Sequence, residues 1–225
     1  CIVLDDLEAY LRQYPIDINS KEDIERLEQR LCSKCLNIKQ TLNHLISFCK
    51  TLPRIPDYSQ KKFVAQGDSL EIAPGMSREQ IIERVYALKD KNEYCQMALY
   101  AWRDLRNTEL EPFMKAALER NPVCIEETNH CEDEAALCEL LSRELQAKSI
   151  YEEEFRLAQP DEVWNYRTGD GLEQAIMLAC ILKARTPEQA LTIKTEKGIV
   201  SLLRDDTSIF SAKTAKSIST DLIQI

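Results

Sequence analysis

Cys32, Cys35, His44 and Cys49 stand in a C-x2-C-x8-H-x4-C series, and thiols with an imidazole at short intervals are what a tetrahedral zinc site is built from. Zinc needs its four donors to converge at about 2.0–2.3 Å from one point. Two of the same cysteines lie on an apolar stripe, Ile24, Leu27, Leu31, Cys35, Ile38, Leu42, Leu45 and Cys49. Its steps of three and four predict one continuous helix with Cys35 and Cys49 buried. On such a helix these two thiols are about 21 Å apart and cannot share an ion. A second group, Cys124, His130, Cys131 and Cys138, sets a thiol directly beside an imidazole. Adjacency in sequence rarely has the geometry of a nucleophile and its base. The acids around Cys131 would also raise a thiol pKa and oppose activation. Neither group is read as a metal or a catalytic site, and no cofactor is expected.

The segment from Pro160 to Leu182 reads PDEVWNYRTGDGLEQAIMLACIL: a Gly-Asp turn followed by an apolar helix. It resembles the active-site entry of the transglutaminase-like superfamily, with Gly169, Asp170, Glu173, Ala175, Leu178, Ala179 and Leu182 at the positions of that pattern. The resemblance implies a thiolate at the helix N-terminus, where free N–H groups and the helix dipole stabilise it. It further implies a histidine from the next strand and an aspartate from the strand after that. In this chain Gly171 stands at the cysteine position, Leu191 at the histidine position, and Asp205 at the aspartate position. Histidine occurs only at 44 and 130, so the family's chemistry cannot run here. Cys180 is about 13 Å along the helix from Gly171 and does not replace the missing thiol. The resemblance therefore implies a non-catalytic module that binds or scaffolds a protein or small-molecule partner. Its vestigial site would comprise Asp170, Gly171, Leu191 and Asp205. A thiol-dependent hydrolase or transferase using another cysteine, and a helical protein-interaction module, are the alternative readings.

Local signals indicate the elements that must carry these residues. Leu4, Leu7 and Leu11 suggest a helix that ends near Pro15, and Ser20 with Asp23 opens the long stripe. Residues 51–76, with Pro53, Pro56, Pro74 and Gly75, read as a connector. Ser77 and Gln80 make a capping box that opens a stripe through Ile81, Val85, Leu88, Cys95, Leu99 and Trp102. Thr108 caps a further helix through Leu118, and another pattern runs from Ala136 through Leu145 and Phe155 to about Leu157. Beyond Pro160 a helix over Leu172–Lys183 precedes four segments of strand character, Ala190–Lys194, Gly198–Leu203, Thr207–Ser211 and Ser217–Ile225. Helices first and a small antiparallel sheet last predict an α+β fold. Residues 1–157 are expected to form the helical region and 158–225 the helix-plus-sheet core.

Charge narrows the partners. The 225 residues carry a net −9, and the stretch 126–154 alone holds ten acids against Arg143 and Lys148. Such a surface repels phosphate backbones and anionic lipid headgroups, so neither nucleic acid nor membrane is expected as a partner. No apolar run approaches the ~20 residues that span a bilayer. The nine cysteines are odd in number and fall mostly within helical patterns, which points to free thiols and a cytoplasmic location. The chain opens on cysteine, as an excised piece or a mature lipoprotein would. Ile2, Val3 and Leu4 lead straight into a helical pattern, where an anchored chain would carry a polar tether.

Overall fold

A computed structural model describes residues 4–32, 38–55, 57, 59, 68–92, 94–95, 98, 110–217 and 222–225. The chain divides into two compact units, Cys1–Leu52 and Pro53–Ile225.

The first unit consists of α1 (Leu4–Gln13), α2 (Lys21–Cys32) and α3 (Ile38–Lys50). The Ser20 hydroxyl accepts from the Asp23 N–H at 3.3 Å and starts α2 as the sequence predicts. The single long helix expected from Ile24 to Cys49 is not formed. Leu27 and Ile46 would stand about 28 Å apart on one straight axis. Both instead pack against the same cluster of Leu31, Ile38 and Leu42, so α2 and α3 fold back on each other. The apolar period identifies which face is apolar, and it runs unchanged through a reversal in which both stripes face inward. Cys49 is exposed rather than buried, and Leu45 is 54% exposed. Cys35 lies outside the described residues. With the continuous helix gone, the distance argument against a metal shared by Cys35 and Cys49 loses its premise.

In the second unit α4 (Arg78–Ala87) begins at the Ser77–Gln80 capping box. It ends at Leu88, well short of the expected stripe; Leu99 and Trp102 lie outside the described residues. Then come α5 (Leu110–Arg120), α6 (Pro122–Thr128), α7 (Glu134–Glu144), α8 (Pro160–Tyr166) and α9 (Gly171–Arg185). The strands are β1 (Leu191–Glu196), β2 (Ile199–Arg204), β3 (Thr207–Lys213) and β4 (Leu222–Gln224). They form one antiparallel sheet of order β3-β2-β1-β4. Lys197 and Gly198 have φ of 52° and 74°, and Asp205 and Asp206 have 47° and 63°. Two successive positive φ values are what a tight hairpin turn requires, and Gly and Asp tolerate them.

Every residue of α9 from Gly171 to Leu182 is buried. An apolar helix without a polar face has no stable place except inside a core. Leu191 and Ile193 of β1 and Val200 and Leu202 of β2 cover it from the sheet, and Phe113, Ala117, Val123, Leu137 and Leu141 from the helices. This is an α+β fold, as the order of elements predicts. The expected division at 157/158 runs through that single core, because α5–α7 pack on the same helix as the sheet does. The helix expected to reach Leu157 stops at Glu144, where Leu145 turns extended (φ −100°, ψ 134°). Gln146 then forms a parallel bridge with Thr168. That bond lies across the fold, and no local pattern announces it.

The candidate site at the start of the core helix

The turn Gly169-Asp170-Gly171 is the feature on which the sequence reading rests, and here its surroundings are closed. Asp170 is the N-cap of α9, accepting from the Leu172 N–H at 3.0 Å. Glu173 completes the box by accepting from the Asp170 N–H at 2.8 Å. The Asp170 carboxylate also accepts from the Thr214 hydroxyl, and from the Ala215 N–H at 2.8 Å. The position where an anion would meet the helix N-terminus is therefore filled by the chain's own carboxylate.

Glycine is required on both sides of Asp170 by close packing. A Cβ on Gly171 would stand 2.3 Å from the Lys213 carbonyl oxygen and 2.9 Å from the Ala212 Cβ. At Gly169 it would stand 2.8 Å from a methyl of Val163. A cysteine at 171 has no room for its first carbon, let alone a substrate beside it.

Behind the turn lies a buried polar cluster that the sequence reading missed. Glu173, fully buried, accepts from the Ser149 hydroxyl and the Ala158 N–H, both at 2.7 Å. Lys216, whose side chain is 3% exposed, has its Nζ 3.9 Å from Glu173. It donates to the carbonyls of Tyr151 and Glu153 at 2.8 Å each. Burial pushes the Glu173 carboxyl up and the Lys216 amine down, so for both groups desolvation outweighs the attraction between them. The cluster staples the 149–158 loop and the exit from β3 to the start of α9. A Glu three residues after an Asp signals the capping box, but nothing local marks Lys216 or Ser149 as its partners.

The four residues matched to the family pattern do not converge. Asp170 and Gly171 sit at the sheet end where β3 finishes, beside Ala212 and Lys213. Leu191 pairs with Arg204, and Arg204 pairs with Thr207 at the opposite end of β3. Six residues of strand, about 20 Å, separate Thr207 from Lys213. Leu191 is 1% exposed and faces α9 as a core residue. Asp205 is exposed in the β2–β3 turn, where its positive φ explains it. The expectation that Leu191 and Asp205 lie beside Gly171 is corrected accordingly. A count of residues along the chain did not reveal which end of each strand faces the helix. The strand positions that do reach that end are Glu196 in β1, Ile199 in β2 and Lys213 in β3. None is an imidazole, and the Glu196 carboxylate is exposed and pairs with Lys194 at 2.9 Å.

Compared with models of protein families, with curated proteins and with solved structures, the chain matches none. Its chemistry is thus read from its own geometry.

Among the described residues whose side chains are placed, the remaining reactive groups are dispersed or protected. Cys124 and Cys180 are buried, and burial first, then the Asp161 carboxylate, pushes both thiols well up. Cys138 is raised by burial and by Glu134. Cys131 is buried, while its neighbour His130 bonds the Glu127 carbonyl through Nδ1 at 2.8 Å. Cys49 is an exposed free thiol on α3. His44 is five residues away, on a different face of that helix. Asp161, raised by burial, caps α6 by accepting from the N–H groups of Val123 and Cys124 at 3.1 and 2.8 Å. Among the described residues no three His, Cys, Asp or Glu side chains are grouped so as to hold a metal, and no helix is long and apolar enough to cross a membrane.

Proposed function

We propose that this chain is a non-catalytic module with a transglutaminase-like helix-plus-sheet core, acting by binding or scaffolding a partner in a cytoplasmic setting. One observation carries the reading: the Lys213 carbonyl oxygen lies 2.3 Å from where a side chain at Gly171 would begin. A helix entry filled that tightly offers no space for a nucleophile or an acyl group, and the Leu172 and Glu173 N–H groups already donate to the Asp170 carboxylate. The degenerate-core ancestry is supported by an apolar helix that opens on a Gly-Asp turn and packs against an antiparallel sheet. Cys49, Cys95, Cys124, Cys131, Cys138 and Cys180 are free thiols, which suits a reducing compartment.

The test is turnover together with alkylation. The full chain is incubated with an activated ester, and with a glutamine peptide plus a fluorescent primary amine, before and after iodoacetamide treatment. No turnover above the blank is expected. Peptide mapping should find Cys49 alkylated, with Cys124 and Cys180 protected until the fold is melted. Turnover that alkylation abolishes would overturn the proposal in favour of a thiol-dependent hydrolase or transferase.

A further inference from the structure

The surface where α6 meets α8 holds a main-chain segment through one residue. The Asn165 side-chain amide grips both polar groups of Arg54: the Arg54 N–H donates to Oδ1 at 3.2 Å, and Nδ2 donates to the Arg54 carbonyl at 3.4 Å. A primary amide places an acceptor beside a donor, so it complements the N–H and C=O of one residue whatever side chain that residue bears. The side chain is read separately. The Arg54 guanidinium hydrogen-bonds Glu126 and lies 3.8 Å from Glu127 Oε1.

The acids are preset for this. Glu127 Oε2 accepts from the Trp164 indole N–H at 2.8 Å. Arg167 lies 3.6 Å over the Trp164 ring and 4.0 Å from the same carboxylate. Meanwhile the flanking Pro53 and Ile55 are exposed, Ile55 by 84%. The site thus recognises a backbone and a guanidinium and makes little use of the neighbouring side chains.

We propose that this α6–α8 face is a docking seat for an arginine-bearing segment of a partner protein, filled in cis by the chain's own Arg54. The bound segment is suited to exchange. Its ion pairs are open to solvent, with Arg54, Glu126 and Glu127 side chains 46%, 53% and 36% exposed, and exposed pairs hold weakly. What keeps Arg54 in place is its tether, which supplies an effective concentration of about a millimolar. The ten acids of residues 126–154 surround the seat in sequence and favour a basic partner. The proposal does not depend on the ancestry of the α9 core.

The probe is a fluorescein-labelled peptide of this chain's own residues 51–57, Thr-Leu-Pro-Arg-Ile-Pro-Asp, titrated by fluorescence anisotropy with the full chain. Arg54→Ala removes the guanidinium half of the cis contact and loosens the segment's hold on the seat, leaving only the backbone bonds to Asn165 to be displaced. The peptide should therefore bind that variant roughly tenfold or more tighter than wild type, which holds its own segment by both halves. Arg54→Lys, which retains stem and charge but cannot form the guanidinium contacts, serves as a second opened variant. Binding should weaken in raised salt, vanish for the peptide with alanine in place of arginine, and vanish when Asn165→Ala is added. Circular dichroism melts confirm that each variant is folded. Equal affinity for wild type and Arg54→Ala would overturn the proposal. So would no binding to either opened variant up to about 1 mM, or binding indifferent to Asn165→Ala. None of these outcomes depends on turnover at the α9 turn, so a failure here is distinguishable from a failure of the non-catalytic reading.

Discussion

Replacing Gly171 by alanine separates two explanations of that glycine: a lost nucleophile in an open groove, or a contact that no side chain can enter. Gly171 is the first residue of α9 and is not among the positive-φ glycines, which are Gly75 and Gly198. Alanine is therefore conformationally allowed, and helix propensity alone favours it by up to about 1 kcal/mol. Against this, the new methyl would meet a carbonyl oxygen at 2.3 Å and a second methyl at 2.9 Å, whereas comfortable carbon contacts are about 3.5–4.0 Å. The β3 exit cannot easily retreat, because Thr214 and Ala215 are bonded to Asp170 and Lys216 is anchored in the loop carbonyls. Overpacking of this kind costs about 1–3 kcal/mol or more. Taking the upper part of that range, less the propensity gain, a net loss of about 2 kcal/mol is expected. For a unit of this size that lowers Tm by about 4–8 °C. Thermal melts and urea titrations should agree, and Gly171→Cys should lose at least as much. An alanine variant that melts at or above wild type would refute the steric reasoning. A Gly171→Cys variant with native Tm and a thiol that reacts rapidly near neutral pH would show an open helix terminus.

Glu173→Ala should cost about 3–5 kcal/mol by urea denaturation, since it strands the Lys216 charge and three donors in the interior; a loss below about 1 kcal/mol would mean that water replaces the carboxylate. Burial raises the folded-state pKa of both Glu173 and Asp161, so the native state binds protons more readily than the unfolded chain. Their contribution to stability is thus greatest at low pH and declines as pH rises from the ordinary carboxylate pKa of about 4 through the raised values. Stability measured across that window should show a flatter dependence in Glu173→Gln than in wild type. Leu137→Ala, at a fully buried position, should cost about 2–5 kcal/mol, while Leu45→Ala, at a position 54% exposed, should stay within about 0.5 kcal/mol of wild type; equal losses would mean that α3 is covered in solution.

Legibility in the sequence followed the range of the forces involved. Ser77 with Gln80, and Asp170 with Glu173, close bonds three residues apart, so composition and spacing locate those helix starts. The Lys197-Gly198 and Asp205-Asp206 turns are equally local, and the strands on either side of them were placed to within a residue or two. The unbroken apolar run of α9 marks a core helix without any knowledge of what surrounds it. The α2–α3 reversal was not legible, because a stripe with helical period looks the same on one axis as on two that face each other.

The sequence by itself determined that helices come first and strands last, the α+β class, the position of α9 to within a residue or two and the absence of any histidine beyond His44 and His130. The tertiary structure alone decided that Gly171 faces the Lys213 carbonyl, that Asp205 lies at the far end of the sheet, and that Lys216 reaches Glu173 from more than forty residues away. The reason is physical. Caps and turns are set by dihedral preferences and bonds between near neighbours, which residue types report directly. Which strand end meets a helix terminus depends on sheet register and on packing α9 between two layers, and these involve residues with no fixed spacing along the chain.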